Sequence, residues 1–363
     1  MNDIRICIIG PSINMGGIER ASVTIANNFS HQNLVVAFIA IFKQAHFYNL
    51  HKDIVFIEPA SLNSERLNIV KSLFWLRKKI KEVEPDVVLV FNFFYGALVL
   101  LSTFKTGVPI YISDRASPFY SWPKYVSYFN KIVFKFLTPT GLIAQTQKAA
   151  DFKAMLFGHR TFIKVIPNPL REVILFPEVE RRKQILAVGR LNDKLKGFDR
   201  LVDAFARIEN REWILVFAGG DEEGEELKSQ AQSNDVSDRI IFLGKVKDID
   251  RVYAEAGIFV IPSRSEGFPN ALCEAMAAGL PCISFDFCAG PREIINDGYD
   301  GILVENNNIE LLARTIDLLI KDETERMRLG QHAMEIRERL NEHKIGQIYL
   351  DFIIGGDYQR GKQ

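Results

Sequence analysis

The segment Ile258–Ala275, with the sequence IFVIPSRSEGFPNALCEA, contains a strand pattern, a loop pattern and a helix pattern in one run. Its first residues, IFVI, are apolar and mostly β-branched, as in a buried strand. Gly267 and Pro269 keep the following residues out of a helix. Asn270 is a good N-cap, and the residues from Ala271 onward have high helix propensity. The segment therefore predicts a strand-loop-helix unit of an α/β sheet.

The same alternation extends in both directions from this segment. Short β-branched runs alternate with amphipathic segments, which is typical of doubly wound parallel sheets with crossover helices. We predict a first series of strands at Ile4–Ile9, Val35–Phe42, Ile54–Ile57, Val87–Phe91, Val108–Ser113, Gly141–Thr146 and Phe162–Ile166. We predict a second series at Ile185–Val188, Trp213–Ala218, Ile240–Leu243, Ile258–Ile261 and Pro281–Phe285. The predicted fold class is α/β with two sheets.

A proline-rich break, Ile166-Pro167-Asn168-Pro169, separates the two series and favours an extended turn. We place the linker there, which gives an N-terminal domain of residues 1–168 and a second domain of residues 169–340. The pattern from Ile309 to Phe352 is helical and rich in charge, and we expect a closing helix pair that packs across both domains. Residues 341–358 would form the helix that crosses back to the first domain. A length of 363 residues suits two domains.

The composition is that of an ordinary globular protein, with 47% hydrophobic and 25% charged residues. Lys+Arg and Asp+Glu both count 45, so a general nucleic-acid binder is not indicated. The cysteines form no CxxC pair and the histidines show no ligand spacing, which argues against a disulfide scaffold or a zinc site. The N-terminal residues lack the basic start of a signal peptide. We therefore expect a cytoplasmic protein without a bound metal.

The run Val87–Phe104 carries no charge and lies at the lower length limit of a membrane span. Asn92 and Gly96 interrupt it between a β-prone part and a helix-like part. We therefore interpret it as a strand, a loop and a helix that are buried in the protein.

Two carboxylates stand on either side of the predicted helix start after Ile261. Glu266 lies in the loop, and Glu274 lies about one turn into the helix. The amides of Ala271 and Leu272 at that helix start would make a seat for a phosphate. Carboxylates accept hydrogen bonds from sugar hydroxyls, so a ligand with both groups would satisfy the whole set. Taken alone, the two acids are also compatible with a solvated loop acid and a helix-dipole partner.

A cationic loop follows the first strand of the second series, in the sequence Val188-Gly189-Arg190 to Lys196-Gly197. A guanidinium at position 190 and an ammonium at position 196 suit the two phosphates of a nucleoside diphosphate. A pair of glycosidase carboxylates would have no use for such a phosphate seat. The first loop of the chain, Gly10–Arg20, matches neither GxGxxG nor a P-loop, so a nicotinamide oxidoreductase or an ordinary NTPase is disfavoured. Gly290, after a later strand, would allow close approach of the main chain to a ligand.

Together these motifs resemble the family-4 retaining glycosyltransferases, which have the GT-B fold of two Rossmann-like domains facing a cleft. The resemblance covers the chain in order, and its motifs are Gly16-Gly17-Ile18-Glu19-Arg20, Gly189-Arg190 with Lys196-Gly197, and Glu266 to Glu274 as Glu-x7-Glu. It implies a UDP- or GDP-sugar bound mainly by the second domain, transfer with retention of configuration, and no obligatory metal or other cofactor. The stretch Cys288–Glu293 is similar to that of enzymes that build bacterial surface polysaccharides and lipid-linked oligosaccharides.

The resemblance also implies roles for individual residues. Arg190 and Lys196 would bind the diphosphate and stabilise the departing nucleotide, Glu266 would contact the donor sugar, and Glu274 would hold the ribose hydroxyls. The further donor-binding residues that we expect are Gly16, Gly17, Lys245, Val246, Phe268, Asn270, Ala271, Leu272 and Gly290.

The sequence departs from the family where many relatives have a histidine after the strand Val108–Ser113. This chain has Ser113-Asp114-Arg115-Ala116-Ser117-Pro118 at that place. Asp114 or Arg115 would then orient the sugar or the acceptor. The alternative is that Asp114 only caps the following turn.

Basic and aromatic residues cluster in two segments of the first half, Lys71–Lys81 and Phe119–Phe136. Such segments suit an anionic membrane surface, which would place the protein on the inner face of the cytoplasmic membrane. A core helix with a charged outer face is the competing interpretation.

The preferred functional hypothesis is transfer of a hexosyl or N-acetylhexosaminyl unit from a UDP-sugar, or from GDP-mannose, to a glycan on a polyprenyl-diphosphate carrier. The products would belong to a capsule, an O-antigen or an exopolysaccharide. A nucleotide-sugar 2-epimerase of the same fold would require acid and base groups in both domains, and we identify none. A non-catalytic nucleotide-sugar-binding protein would bind the donor without turnover.

Overall fold

The computed structural model describes residues 4–60, 69–116, 123–220, 224–288 and 290–355. The chain forms two compact units. The first consists of Met1–Pro169 and Leu340–Gln363, and the second is Leu170–Arg339.

The described residues form strands and helices that alternate for most of the chain. The strands are β1 Arg5–Gly10, β2 Val35–Ala40, β3 Val55–Ile57, β4 Val87–Phe91, β5 Ile110–Ser113, β6 Gly141–Ala144, β7 Phe162–Val165, β8 Gln184–Val188, β9 Ile214–Ala218, β10 Ile240–Phe242, β11 Ile258–Ile261, β12 Cys282–Phe285 and β13 Ile302–Val304. The helices are α1 Gly17–His31, α2 Ile69–Val83, α3 Phe93–Ser102, α4 Lys124–Phe136, α5 Gln147–Phe157, α6 Phe198–Phe205, α7 Glu225–Ser233, α8 Ile249–Glu255, α9 Asn270–Ala277, α10 Pro291–Ile294, α11 Ile309–Lys321, α12 Glu323–Ala333, α13 Ile336–Arg339 and α14 Glu342–Gly355.

The first unit is built on a parallel sheet in the order β3-β2-β1-β4-β5-β6-β7. Successive side chains of a strand point to opposite faces, so Ile6 and Ile8 join one core while Cys7 and Ile9 join the other. Residues of α1 and α14 complete the first core, and residues of α2, α3, α4 and α5 complete the second. The sheet is therefore covered on both faces, as a parallel sheet must be.

The second unit has a parallel sheet in the order β10-β9-β8-β11-β12-β13. The order reverses between β8 and β11, because β8 leads to β9 on one side while β11 and β12 continue on the other. Ligands of open α/β sheets bind at such a reversal, beyond the carboxyl ends of the strands. The loops that leave β8 and β11 therefore lie side by side at the expected binding edge.

The bounds of the predicted strands differ from the observed bounds by no more than two residues. The α/β class with two parallel sheets is confirmed. The uncharged run Val87–Phe104 is a buried strand followed by a helix, with the Asn92 side chain accepting a hydrogen bond from the Phe94 N–H at the helix start. Two expectations were wrong. Strand β13 was not predicted, because three residues beside Gly301 give too short an apolar run. The expected closing helix pair is four helices, α11 to α14, of which α14 belongs to the first unit.

The last helix packs within the first unit against α1. A Cβ atom at Gly346 would overlap the Asn28 side chain, and Asn28 Nδ2 hydrogen-bonds to His343 Nδ1 at 3.1 Å. The end of the predicted crossing helix, residues 356–358, lies outside the described residues. No helix among the described residues has the length and apolar character needed to cross a bilayer.

Candidate functional site

An ion pair joins the two loops that leave the centre of the second sheet. Lys196 Nζ, from the loop after β8, lies 2.8 Å from Glu266 Oε1 and 3.1 Å from Glu266 Oε2, from the loop after β11. The buried Ser263 hydroxyl also donates to Glu266 Oε1 at 2.7 Å. Both partners of the ion pair are largely shielded from solvent, with side-chain exposures of 21% and 11%. The structure thus brings together a cation and an acid that the sequence places seventy residues apart.

Arg264 ties the same two loops together a second time. Its N–H donates to the Leu195 carbonyl at 2.8 Å, and its guanidinium lies 2.6 and 2.5 Å from the two carboxylate oxygens of Asp199. The hydrogen bond from Arg264 holds the pKa of Asp199 below its usual value, so this pair stays ionised at neutral pH. The backbone that carries Lys196 is therefore held at a defined distance from the backbone that carries Glu266.

Gly197 allows the closest approach between these loops. Its backbone is left-handed, with φ of 66°, and a Cβ atom there would lie 2.1 Å from the Pro262 carbonyl oxygen. A side chain at this position would be excluded by both the dihedral angle and the space.

Helix α9 starts one residue earlier than the sequence indicates. Pro269 is the N-cap and Asn270 is the first helical residue, so Asn270 is not the cap that we expected. The Leu272 N–H donates to the Pro269 carbonyl at 3.0 Å and is not available to a phosphate. The Ala271 N–H has no acceptor among the described residues, so it is the amide of the predicted pair that can still donate. Of the two amides that we predicted would bind a phosphate at this helix start, one can therefore still donate.

Two other predicted donor-binding residues surround the start of α9. Phe268 is buried just before the cap. Gly290 precedes α10 and lies against Pro269, such that a Cβ atom on Gly290 would be 3.0 Å from Pro269 Cδ. The loops after β11 and β12 therefore meet at this helix start.

Glu274 is held inside the second unit by donors that include Arg171 and Tyr253. Arg171 Nη2 lies 3.3 Å from Glu274 Oε2, and the Tyr253 hydroxyl donates to the same oxygen at 3.3 Å. Glu274 is 6% exposed, so it is a buried acid, whereas its role beside the helix dipole stays an open alternative.

Arg190 is not brought to Lys196 or Glu266. Its guanidinium pairs with Asp193 at 2.8 Å in the same turn, and its side chain is 75% exposed. In the part of the chain that the structure describes, this guanidinium has no hydrogen bond or ion pair with Lys196, Glu266 or α9. We expected both Arg190 and Lys196 beside Glu266. Lys196 lies there, and Arg190 does not.

The loop after β10 contains the predicted residues Lys245 and Val246, which are exposed and half-buried. The loop is connected to the site through the Gly219 N–H, which donates to the Gly244 carbonyl at 2.7 Å. Gly219 in turn lies so close to Gly189 that a Cβ atom would be 2.7 Å from the Gly189 carbonyl oxygen. The loops after β8, β9 and β10 are therefore in direct contact.

In the first unit, the predicted residues Gly16 and Gly17 lie at the start of α1, where Gly16 is the N-cap in an extended conformation. The Gly16 carbonyl accepts the Arg20 N–H at 2.9 Å. The Glu19 side chain folds back over this turn, and burial raises the pKa of its carboxyl.

Asp114 and Arg115, which follow β5, are both buried and engaged. Asp114 Oδ2 lies 2.5 Å from Lys153 Nζ, and Asp114 Oδ1 accepts the Ala116 N–H at 3.3 Å, as the capping alternative requires. Arg115 Nη2 donates to the Tyr349 hydroxyl at 2.5 Å, and burial lowers the pKa of this guanidinium. Residues 117 and 118 of the quoted stretch lie outside the described residues.

A cavity of about 460 Å³ lies beside the Lys194–Lys196 turn. Its lining includes Leu191, Phe198, Leu227 and Arg264, but not Lys196, Glu266 or Glu274. Within the described residues, no three His, Cys, Asp or Glu side chains are grouped as metal ligands.

Sequence reasoning missed Arg171, Ser263 and Arg264. Ser263 and Arg264 lie in the segment Ile258–Ala275, and their position between a strand end and Glu266 was an available signal. Arg171 has no local signal, because its partners lie 79 and 103 residues away.

Comparison with known proteins agrees with this geometry. The family model described as glycosyl transferases group 1 matches residues 175–335, which include both loops of the site. An uncharacterized glycosyltransferase of Haemophilus influenzae is 30% identical over 317 residues, covering 85% of this chain and 87% of the relative. This chain belongs to the group 1 glycosyltransferases. The prediction of a glycosyltransferase is thereby confirmed.

Two further similarities bear on this glycosyltransferase. An undecaprenol-PP-glycan α-1,4-N-acetyl-D-galactosaminyltransferase of Campylobacter jejuni is 25% identical over 364 residues, covering 96% of this chain and 97% of the relative. The structure of HepE from Anabaena in complex with UDP-glucose has a TM-score of 0.81 at 18% identity, covering 97% of this chain and 100% of HepE. The predicted GT-B class, with two Rossmann-like parallel sheets, is confirmed.

The contact at Gly197 gives a stability prediction. Replacing Gly197 by alanine should lower the free energy of unfolding by about 1–2 kcal/mol for the left-handed backbone and by about 1–3 kcal/mol more for the overlap with Pro262. Gly298→Ala is the matched control, because Gly298 has a φ of 73° and nothing within 4 Å of the added atom. Urea unfolding followed by circular dichroism measures both. Equal losses for the two variants would contradict the close approach of the loops.

Proposed function

We propose that the second unit of this glycosyltransferase grips the diphosphate of a nucleotide-sugar donor with Lys196 and the start of α9. The observation that carries the proposal is the meeting of Lys196 and Glu266 at the reversal of strand order, where open α/β sheets bind ligands. The complex of the structurally similar HepE with UDP-glucose supports a UDP-sugar as the donor.

Lys196 would stabilise the departing nucleotide. An ammonium group has three protons, so it can keep a hydrogen bond to Glu266 and donate to a phosphate oxygen at the same time. The Ala271 N–H and the dipole of α9 would add to the attraction for the same charge. Because the site is partly shielded from water, these donors act in a medium where charge stabilisation is stronger than in bulk solvent.

Glu266 would contact the donor sugar. Two donors, Lys196 and Ser263, are within 2.8 Å of its Oε1 atom, whereas the nearest donor to Oε2 among the described residues is Lys196 at 3.1 Å. A carboxylate oxygen has two lone pairs, so Oε2 can accept a sugar hydroxyl without losing the ion pair. The ammonium and the carboxylate would then bind neighbouring parts of the same donor.

The remaining assignments complete the donor site. Glu274 would hold the ribose hydroxyls, and Lys245 with Val246 would lie against the base through their main chain. Arg190 would exchange its exposed pair with Asp193 for a phosphate, since surface ion pairs of this kind contribute little to stability. The assignments of Gly16, Gly17, Asp114 and Arg115 to the donor or the acceptor stay predictions.

We infer that the reaction retains the configuration of the sugar. The nucleotide would leave from the face that the acceptor hydroxyl attacks, with an oxocarbenium-like sugar between them. The acceptor would be a glycan on a polyprenyl-diphosphate carrier in the synthesis of a bacterial surface polysaccharide, bound by the first unit. The relative from Campylobacter jejuni, whose name gives an undecaprenol-PP-linked glycan, supports this class of acceptor.

We also propose that the first unit docks on an anionic membrane surface through α4. Tyr125, Tyr128, Ile132 and Phe136 follow helical spacing and are between 47% and 74% exposed. Lys124, Lys131 and Lys135 flank them, and α4 has no acidic residue. Exposed aromatic rings beside cations suit a headgroup layer better than bulk water. Residues 119–122 of the predicted basic and aromatic cluster lie outside the described residues.

The donor assignment predicts the effect of removing one ammonium. Lys196→Met should slow transfer by about 100-fold, which corresponds to roughly 3 kcal/mol of leaving-group stabilisation, and should weaken binding of the nucleoside diphosphate. Calorimetry with a panel of UDP- and GDP-sugars identifies the donor, and turnover with that donor measures the rate. NMR of the product then tests retention.

Lys194→Met is the control, because Lys194 lies in the same turn but pairs with Glu226 at the surface. It should leave both binding and rate near the unchanged values. Absence of binding by every nucleotide sugar would contradict the proposal, and so would equal behaviour of the two variants.

The membrane assignment predicts recovery of the protein with phosphatidylglycerol-rich vesicles in a flotation experiment at low salt. Tyr128→Asp with Phe136→Asp should shift the protein to the soluble fraction, because charge replaces the apolar contact. Leu318→Asp with Met327→Asp, which changes two equally exposed apolar residues of the second unit, should have no effect. Unchanged protein that stays soluble beside these vesicles would contradict docking.

A further inference from the structure

Arg171 links two buried acids in the second unit. Its Nη1 atom donates to Asp250 Oδ2 at 3.0 Å, and its Nη2 atom bonds to Asp250 Oδ1 and lies 3.3 Å from Glu274 Oε2. The guanidinium thus forms a bidentate pair with the Asp250 carboxylate, and its Nη2 atom also contacts the Glu274 carboxylate.

The burial of this cluster makes the cation necessary. Asp250 and Glu274 are each 6% exposed, and Tyr253 is fully buried. A buried carboxylate is stable only when it is paired and hydrogen-bonded. Burial acts to lower the pKa of Arg171, but the hydrogen bonds to Asp250 and the charge of Glu274 raise it overall, so the cation is held firmly in its charged form.

The three partners come from different segments of the second unit. Arg171 stands just after the proline-rich break, Asp250 lies in the first turn of α8 directly after the loop of Lys245 and Val246, and Glu274 lies on α9. Asp250 Oδ2 also accepts the Ile174 N–H at 3.0 Å. The guanidinium therefore connects the segment after the break to the two elements that would contact the nucleoside.

We propose that Arg171 is a positioning residue that orients Glu274 toward the ribose hydroxyls of the donor. The inference rests on the proposed function, because Glu274 binds the ribose only if the second unit binds a nucleotide. Arg171 and Tyr253 both bond to Oε2, so they fix the rotation of the carboxylate about its last bond. A carboxylate that is fixed in this way accepts a ribose hydroxyl without first losing conformational freedom.

The test compares ribose with deoxyribose in the nucleoside diphosphate. Calorimetry measures the Kd of UDP and of its 2′-deoxy and 3′-deoxy forms, or of the GDP series if GDP is the nucleotide that binds. The unchanged protein should prefer the ribose form over at least one deoxy form by roughly tenfold or more, the size of one hydrogen bond to a charged group. Glu274→Gln and Arg171→Met should both bring that ratio close to one, and Arg171→Lys should restore part of it.

The control is Arg339→Met, which removes another arginine that pairs with a buried aspartate of this unit, Asp300 at 2.9 Å. It should leave the preference for ribose unchanged. If Arg171→Met does not fold, Tyr253→Phe removes the second donor to Oε2 without changing the charge, and it should also reduce the ratio.

The outcomes distinguish a failure of the Arg171 inference from a failure of the proposed function. If Arg171→Met weakens the ribose and deoxyribose forms by the same factor, its role is structural only and the inference is overturned. If the protein without substitutions binds the nucleotide but does not prefer ribose, the inference is overturned, whereas the proposed binding of the diphosphate is not. If neither UDP nor GDP binds, the proposed function is overturned together with the inference.

Discussion

The ion pair between Lys196 and Glu266 determines how the second unit can work. It closes the gap between the loops after β8 and β11, the two strands at which the order of the sheet reverses. The same loops are also joined by the pair of Arg264 with Asp199 and by the close contact at Gly197. A cation and an acid are therefore kept side by side next to the start of α9. Such preorganised groups need no rearrangement when charge develops on a leaving group. This electrostatic stabilisation is the largest single contribution to the rate enhancement of many enzymes.

The second acid of the motif depends on a separate set of contacts. Glu274 is buried, and Arg171 and Tyr253 determine its orientation. Glu266, in contrast, takes its orientation from Lys196 and Ser263. The two carboxylates of one short motif are thus supported by different segments of the unit. This division suits a ligand with two chemically distinct ends, such as a sugar and a ribose joined by a diphosphate.

The sequence predicted most strands because buried parallel strands appear as continuous apolar runs, and it failed at β13, where the run has only three residues. The family resemblance assigned Lys196 to the diphosphate and Glu266 to the sugar of one donor, which requires their loops to lie together, as they do. The sequence could not predict the direction of Arg190, which depends on a local pair with Asp193. The contacts of Arg171 escaped prediction because they join distant segments through tertiary packing alone.

A crystal structure of this glycosyltransferase with its nucleoside diphosphate would show whether Lys196 and the start of α9 hold the phosphates. We expect phosphate oxygens at about 3 Å from both Lys196 Nζ and the Ala271 N–H, the usual distance of a hydrogen bond. A nucleotide bound instead in the cavity beside Leu191 and Leu227, with Lys196 in contact with Glu266 alone, would contradict this expectation.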